Sequence, residues 1–252
     1  MSLNEDFIKS IDNGESLETI RSLLQRGASV DYLNNHALLM AVIELNIKLI
    51  ELLLDFGADV NYDEGLALVM FVNSANRDTL EQVRFLLSRG AKATVRGNFP
   101  LYIAVQYDWM DMVRLLLENG AKPERAELGT YAMNRENYEM MNLLIKHGYD
   151  INYNKGILLR HYLYRSHEAV IYLIYNGIKP DYLFIKVGHN KIVMGKSQRL
   201  RLFIFNTYMS SLPLKDETTW DFWIAWAPYL GERYVVVAEE MKKIKSQIFS
   251  QN

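Results

Sequence analysis

The segment of this sequence that comes nearest to known chemistry runs from Gly188 through His189-Asn190-Lys191-Ile192-Val193-Met194 to Gly195-Lys196-Ser197. A phosphate-binding loop also ends in Gly-Lys-Ser, but with four residues between its glycines, so that successive backbone N–H groups curl round a phosphate at a helix start. Here six residues intervene. No strand is evident before them, and the sequence places a helix where the loop should be. A nucleotide-binding enzyme is therefore the last-ranked reading. The histidines are His36, His147, His161, His167 and His189. His161 and His167 would lie about 120° out of line on one helix, whereas metal pairs prefer i,i+4. His147 falls in a helix's last turn, where a partly positive ring suits the dipole. Cysteine is absent, which excludes disulfides, thiolate nucleophiles and Cys-type zinc sites. No Ser/His/Asp set or carboxylate pair assembles. The sequence assigns no catalytic residue, no cofactor and no metal ligand.

Its chemistry is that of contact. Tyr32, Tyr62, Tyr153 and Tyr182 recur at one register, five residues after a glycine, and Val95 and Arg125 hold that register between them. Tyrosine buries much area with few rotors to freeze, which suits a partner surface. The same rings would equally well cap apolar gaps between structural units, and both readings stand. Trp109 is likewise either a partner's anchor or a plug between units. Trp220, Trp223 and Trp226 recur at three-residue spacing near one face of a helix.

The elements that position these residues repeat. Leu-Leu or a close substitute, then two residues, then Gly, recurs six times, at Gly27, Gly57, Gly90, Gly120, Gly148 and Gly177. The intervals are 30, 33, 30, 28 and 29 residues, the signature of stacked supersecondary units. Before Gly57, Ile47, Leu49, Ile50, Leu52, Leu53 and Leu54 predict a helix covered on both sides. Gly57 then takes the C′ position, where a left-handed backbone costs little without a Cβ. A polar turn follows as far as Gly65, and Leu66–Phe71 predicts a shorter helix. Each unit is thus two antiparallel helices and a turn, too small to bury its own apolar faces, so it must stack.

These residues resemble the ankyrin repeat. Gly57-Ala58-Asp59-Val60-Asn61 matches that family's turn, and Leu52-Leu53-Leu54 its helix end. Pro100-Leu101 with Ala104 matches part of Thr-Pro-Leu-His-x-Ala, and Gly188-His189-Asn190-Lys191-Ile192-Val193 reads as a seventh, decaying unit. The resemblance covers roughly residues 4–194 and implies an all-α solenoid of six to seven helix-turn-helix units over 1–195. The shortened turns are similar to those of ankyrin proteins from large DNA viruses and some bacteria, for which a partner would be a host factor to inhibit or sequester. In the family, partners meet the turn tips and the exposed side of each first helix. By register this points to Met40, Glu44, Asn73, Tyr102, Gln106, Asn134, Arg135, Arg160 and Tyr164, beside the tyrosines and Arg125.

Residues 196–252 do not repeat. They predict an aromatic-rich helical cap, sealing the apolar end that a solenoid exposes, or a segment that recruits a second protein through Trp220, Trp223 and Trp226. Leu212-Pro213 is all that matches an F-box-like opening. A net charge of −2 lowers nucleic acid as a partner. No uncharged run approaches the ~18–20 apolar residues that cross a bilayer, and no signal peptide is visible. The expectation is a cytoplasmic binding module with one or more protein partners and no small-molecule ligand, or alternatively a two-ended adaptor.

Overall fold

A computed structural model of the chain describes residues 2–74 and 79–162 continuously, together with 165–166, 169, 172–173, 176–178, 184–187, 190–193, 224, 239 and 242–243. The chain divides into two compact units, Met1–Tyr149 and Asp150–Asn252.

The first unit holds α1 (Leu3–Asp12), α2 (Leu17–Gln25), α3 (Tyr32–Ile43), α4 (Ile47–Asp55), α5 (Tyr62–Asn73), α6 (Leu80–Ser88), α7 (Val95–Gln106), α8 (Met110–Glu118), α9 (Glu127–Asn134) and α10 (Tyr138–Lys146). Consecutive helices pair as hairpins, α1 with α2 through to α9 with α10. First helices then pack on first helices, α1 on α3, α3 on α5, α5 on α7 and α7 on α9. The helical class read from the sequence holds throughout this unit. Side chains tie several helix starts. Ser2 forms a capping box with Glu5, Ser16 accepts from the Thr19 N–H, and Asn46 and Asn137 accept from Leu49 and Met140.

The helix ends follow from the recurrent glycine. Gly27, Gly57, Gly90, Gly120 and Gly148 all have φ between 89° and 99°. At the second of these the Ala58 N–H donates to the Leu53 carbonyl and the Gly57 N–H to Leu54, a Schellman pair that satisfies carbonyls the helix leaves open. The leucine four residues before each glycine enters the core. Leu53, Leu86, Leu116 and Leu144 are fully buried and Leu23 nearly so. Truncating one of them to alanine costs about 2–5 kcal/mol.

Three of the connections between hairpins share an unusual backbone. Leu33-Asn34-Asn35, Asp63-Glu64-Gly65 and Arg96-Gly97-Asn98 each form three successive left-handed residues before the right-handed helix begins. Asn, Asp and Gly tolerate this region best, which accounts for most of that composition. The connection into α9 has no such triplet, and this is where the 28-residue interval loses length. The 33-residue interval gains its three residues in the corner between α5 and α6, since its turn keeps the common length. In that corner the buried Thr79 hydroxyl donates to the Phe71 carbonyl at 2.9 Å.

In the second unit α11 (Tyr153–Tyr162) precedes β1 (Phe184–Val187) and β2 (Asn190–Val193). Gly177 keeps the left-handed glycine conformation, with φ 85°, and Leu173 is fully buried. The helix expected from the Gly-His-x-Glu-Ile-Val match of a seventh unit is absent over residues 190–193. β1 and β2 pair antiparallel instead, with Ile185 opposite Ile192 and Lys186 opposite Lys191. Repeat register was the wrong guide here, because Ile185, Val187, Ile192 and Val193 are β-branched and favour pleated backbone. A strand therefore does precede Gly195-Lys196-Ser197, contrary to the sequence reading. The six-residue glycine spacing still departs from a phosphate loop.

Candidate functional site

Asparagines join successive units. Asn4 Oδ1 accepts from the Ser29 N–H at 2.8 Å, Asn61 Oδ1 from Lys92 at 2.9 Å and Asn98 Oδ1 from Lys122 at 2.7 Å. Each donor is the amide two residues past a glycine of the echo. Asn61 Nδ2 also donates to the Gly90 carbonyl at 3.0 Å, as Asn152 does to Gly177 at 3.2 Å within the second unit. These bonds hold the turns in register.

Two of the residues five past a glycine, Val95 and Arg125, meet the turn before them. Val95 lies so close over Gly65 that a Cβ there would stand 2.6 Å from Val95 Cγ1. Arg125 donates from Nε to the Gly97 carbonyl at 3.0 Å and from Nη2 to Arg96 at 3.2 Å. Tyr32 and Tyr62 are half-buried, and Tyr62 lines a small void between α3 and α5 with Leu38, Leu39, Val60 and Leu66. Tyr153 is 45 % exposed, in the second unit. Tyr182 lies outside the described residues.

Helices α3, α5, α7 and α9 bury equivalent residues: Ala37, Leu38, Ala41 and Val42, then Ala67, Leu68, Phe71 and Val72, and onward to Leu128, Gly129, Ala132 and Met133. The opposite side of each helix therefore forms one row, and its chemistry changes along the unit. α3 presents His36, Leu39, Met40 and Ile43, and α5 presents Leu66, Met70 and Asn73. α7 presents Phe99, Tyr102 and Gln106, and α9 presents Glu127, Thr130, Tyr131 and Asn134. Ile43 is 60 % exposed. α1, at the other end, offers Asp6, Lys9 and Asn13. The row thus has an apolar and aromatic centre with polar ends.

At its aromatic part Phe99 and Tyr102 stack at 5.9 Å, and Tyr131 meets Tyr102 edge-on at 5.7 Å. The two phenol oxygens are 3.0 Å apart. That hydrogen bond, then burial, raises the Tyr102 phenol above its ordinary range. Arg125 lies over both rings, 5.8 Å from Phe99 and 5.2 Å from Tyr102. Exposed Arg135 donates to the Gln106 carbonyl at 3.0 Å. Of the residues singled out from the sequence, Tyr102, Gln106, Arg125 and Arg135 thus fall in one neighbourhood. Exposed Arg160 donates to the Asn154 carbonyl at 2.8 Å within the second unit.

The far side of the unit differs. The outer positions of the second helices carry Lys48, Glu51 and Asp55, Glu81 and Arg84, Asp111 and Arg114, and Glu139. Ion pairs lace it, Arg89 with Asp55 at 2.6 Å and Arg114 with Glu139 at 3.7 Å. At the corner before α8, Trp109 stacks on Tyr107 at 5.7 Å and is half-buried.

Among the described residues there is no group of three His, Asp or Glu that could hold a metal ion. His36 pairs with Asp12 at 2.8 Å, and burial followed by Arg165 lowers the His161 ring. No described helix is long and apolar enough to cross a membrane. Tyr164, His167, His189, Gly195-Lys196-Ser197, Leu212-Pro213, Trp220, Trp223 and Trp226 lie outside the described residues, as does most of segment 196–252.

Residues 96–126 match a family model whose description is Ankyrin repeat. That stretch runs from the left-handed turn of α7 through α8 to the turn beyond Gly120. No curated protein matches the chain.

Proposed function

We propose that this ankyrin-repeat chain holds a partner protein against the first-helix row of its first unit and does so without chemistry. Ankyrin repeats generally bind proteins and are typically non-catalytic. One contrast within the unit carries the reading. The first-helix row has an uncharged apolar and aromatic centre, whereas the second-helix side is covered by solvated, ion-paired charge. Interface cores are depleted in charge and enriched in aromatics, Met and Arg, with a polar rim. Tyr102, Phe99 and Met40 have that character.

The finer reading is that occupancy inhibits or sequesters the partner, in a cytoplasmic setting. The short-turn resemblance would make that partner a host-cell factor. A photo-cross-linking residue placed at Ile43 or Gln106, compared with Glu51 or Arg114, tests the surface in cells. The expected result is one partner captured from the first-helix positions. Equal capture from both sides overturns the reading. The adaptor alternative rests on Trp220, Trp223 and Trp226 in the sequence. A folded truncation at residue 195 that keeps every partner would remove it.

A further inference from the structure

We propose that the centre of the first-helix row receives an amphipathic helix of the partner whose apolar stripe is flanked by lysine and arginine; this rests on the first-helix reading above. The inference starts from α3, which is apolar on both sides except at His36, paired with Asp12 at 2.8 Å. It buries Ala37, Leu38, Ala41 and Val42, and it turns Leu39, Met40 and Ile43 outward. A helix apolar all round belongs under cover, yet Ile43 is 60 % exposed. Leu66 and Met70 of α5 and Phe99 and Tyr102 of α7 continue the strip, none of them charged. The two methionines supply an adaptable surface for packing.

Spacing favours a helix as the occupant. Packed helices lie about 8–10 Å apart, and one heptad of an α-helix rises about 10.5 Å. Apolar anchors at i, i+7 and i+14 of a crossing helix would therefore seat on α3, α5 and α7 in turn.

Charge selects the flanks. Asp6 and Asp12 of α1, Asp31 and Glu44 at the ends of α3, and Asp63 and Glu64 in the left-handed turn of α5 bound the strip, against Lys9, Arg96, Arg125 over Phe99 and Tyr102, and His36, which pairs with Asp12. Arg96 is already within 3.6 Å of Asp63 and 3.9 Å of Glu64. The rim is thus acidic where the strip is most apolar. Basic flanks complement it, and acidic flanks would be repelled.

Two helical peptides of about 18 residues with the same leucine heptad stripe, one flanked by Lys/Arg and the other by Glu, are titrated against the full chain by fluorescence anisotropy. The basic peptide is expected to bind at least about tenfold tighter, with the difference shrinking as salt rises. Ile43→Glu, at an exposed site where folding is not at risk, should weaken it by about tenfold. Glu44→Lys should narrow the gap between the peptides. Equal affinity for both peptides overturns the basic flank, and binding unchanged by Ile43→Glu, or none at all, overturns the docking of a helix there. If cross-links from Ile43 and Gln106 capture a partner while both peptides fail to bind, the first-helix row stands and only the helical occupant falls.

Discussion

The turns at 63–65 and 96–98 follow the same left-handed path, yet the next unit covers them with different chemistry. Over the first sits a β-branched side chain, Val95, so close that the third residue must be glycine for space, at a φ of 74° that already favours one. Over the second sits a guanidinium. Arg125 passes across the turn, donates to two of its carbonyls and rests on Phe99 and Tyr102. The third residue there is Asn98, whose side chain is used to grip the following unit. The backbone repeats while its cover varies. What may stand at the end of one turn is decided some 30 residues later, by the residue that lands on it.

The sharpest break of this comparison is Gly65→Ala. Left-handed strain contributes about 1–2 kcal/mol, and the clash with Val95 should bring the total loss to about 3 kcal/mol in chemical denaturation. Val95→Ala in the same chain should restore the clash part. Gly57→Ala has an equally left-handed backbone, φ 93°, and open space above it, so about 1 kcal/mol is expected. Equal losses at Gly57 and Gly65 would show that the cover is irrelevant. Arg125→Met keeps the packing over the rings and loses two hydrogen bonds to carbonyls, a cost of about 1 kcal/mol. The matching Arg96→Met loses one hydrogen bond, to the Asp63 carbonyl, and exposed ion pairs with Asp63 and Glu64, and should cost about half of that.

The smallest effect concerns the phenol pair. Because the Tyr102 pKa is raised in the folded chain, its stabilisation is complete below the ordinary tyrosine pKa of about 10. It is lost as pH rises through the raised value. Tyr131→Phe should shift one phenol back toward the ordinary range in an ultraviolet titration and leave the neutral-pH melting temperature nearly unchanged. A titration unaltered by Tyr131→Phe would refute the pairing.

The helix-and-glycine frame was legible because its cause is local. A helix that ends in a left-handed residue favours a glycine there, as α2, α4, α6, α8 and α10 have, and the leucine each of these buries is four residues back. The joints were not legible. Asn4 and Asn98 drew no notice and Asn61 read only as the end of a matched turn, because their partners are 25, 24 and 31 residues away. Tyr131, the side chain beside Tyr102, was not singled out, because the turn into α9 is two residues short and a count from the glycines passes over it. Phe99, just before the matched Pro100-Leu101, was not singled out. At residues 190–193 the family register hid a local β-branched signal that pointed correctly to a strand.

The asparagine joints also make each unit a witness to the one before it. Lys92 and Lys122 are exposed at the surface, where an amide would ordinarily trade its hydrogen with solvent quickly. Each is instead slowed by an acceptor that exists only while the preceding turn is in place. The deuterium uptake of the Lys122 amide therefore measures the opening of the segment around Asn98, and that of Lys92 the opening around Asn61. Read in order along the chain, these amides would show from which end the unit frays.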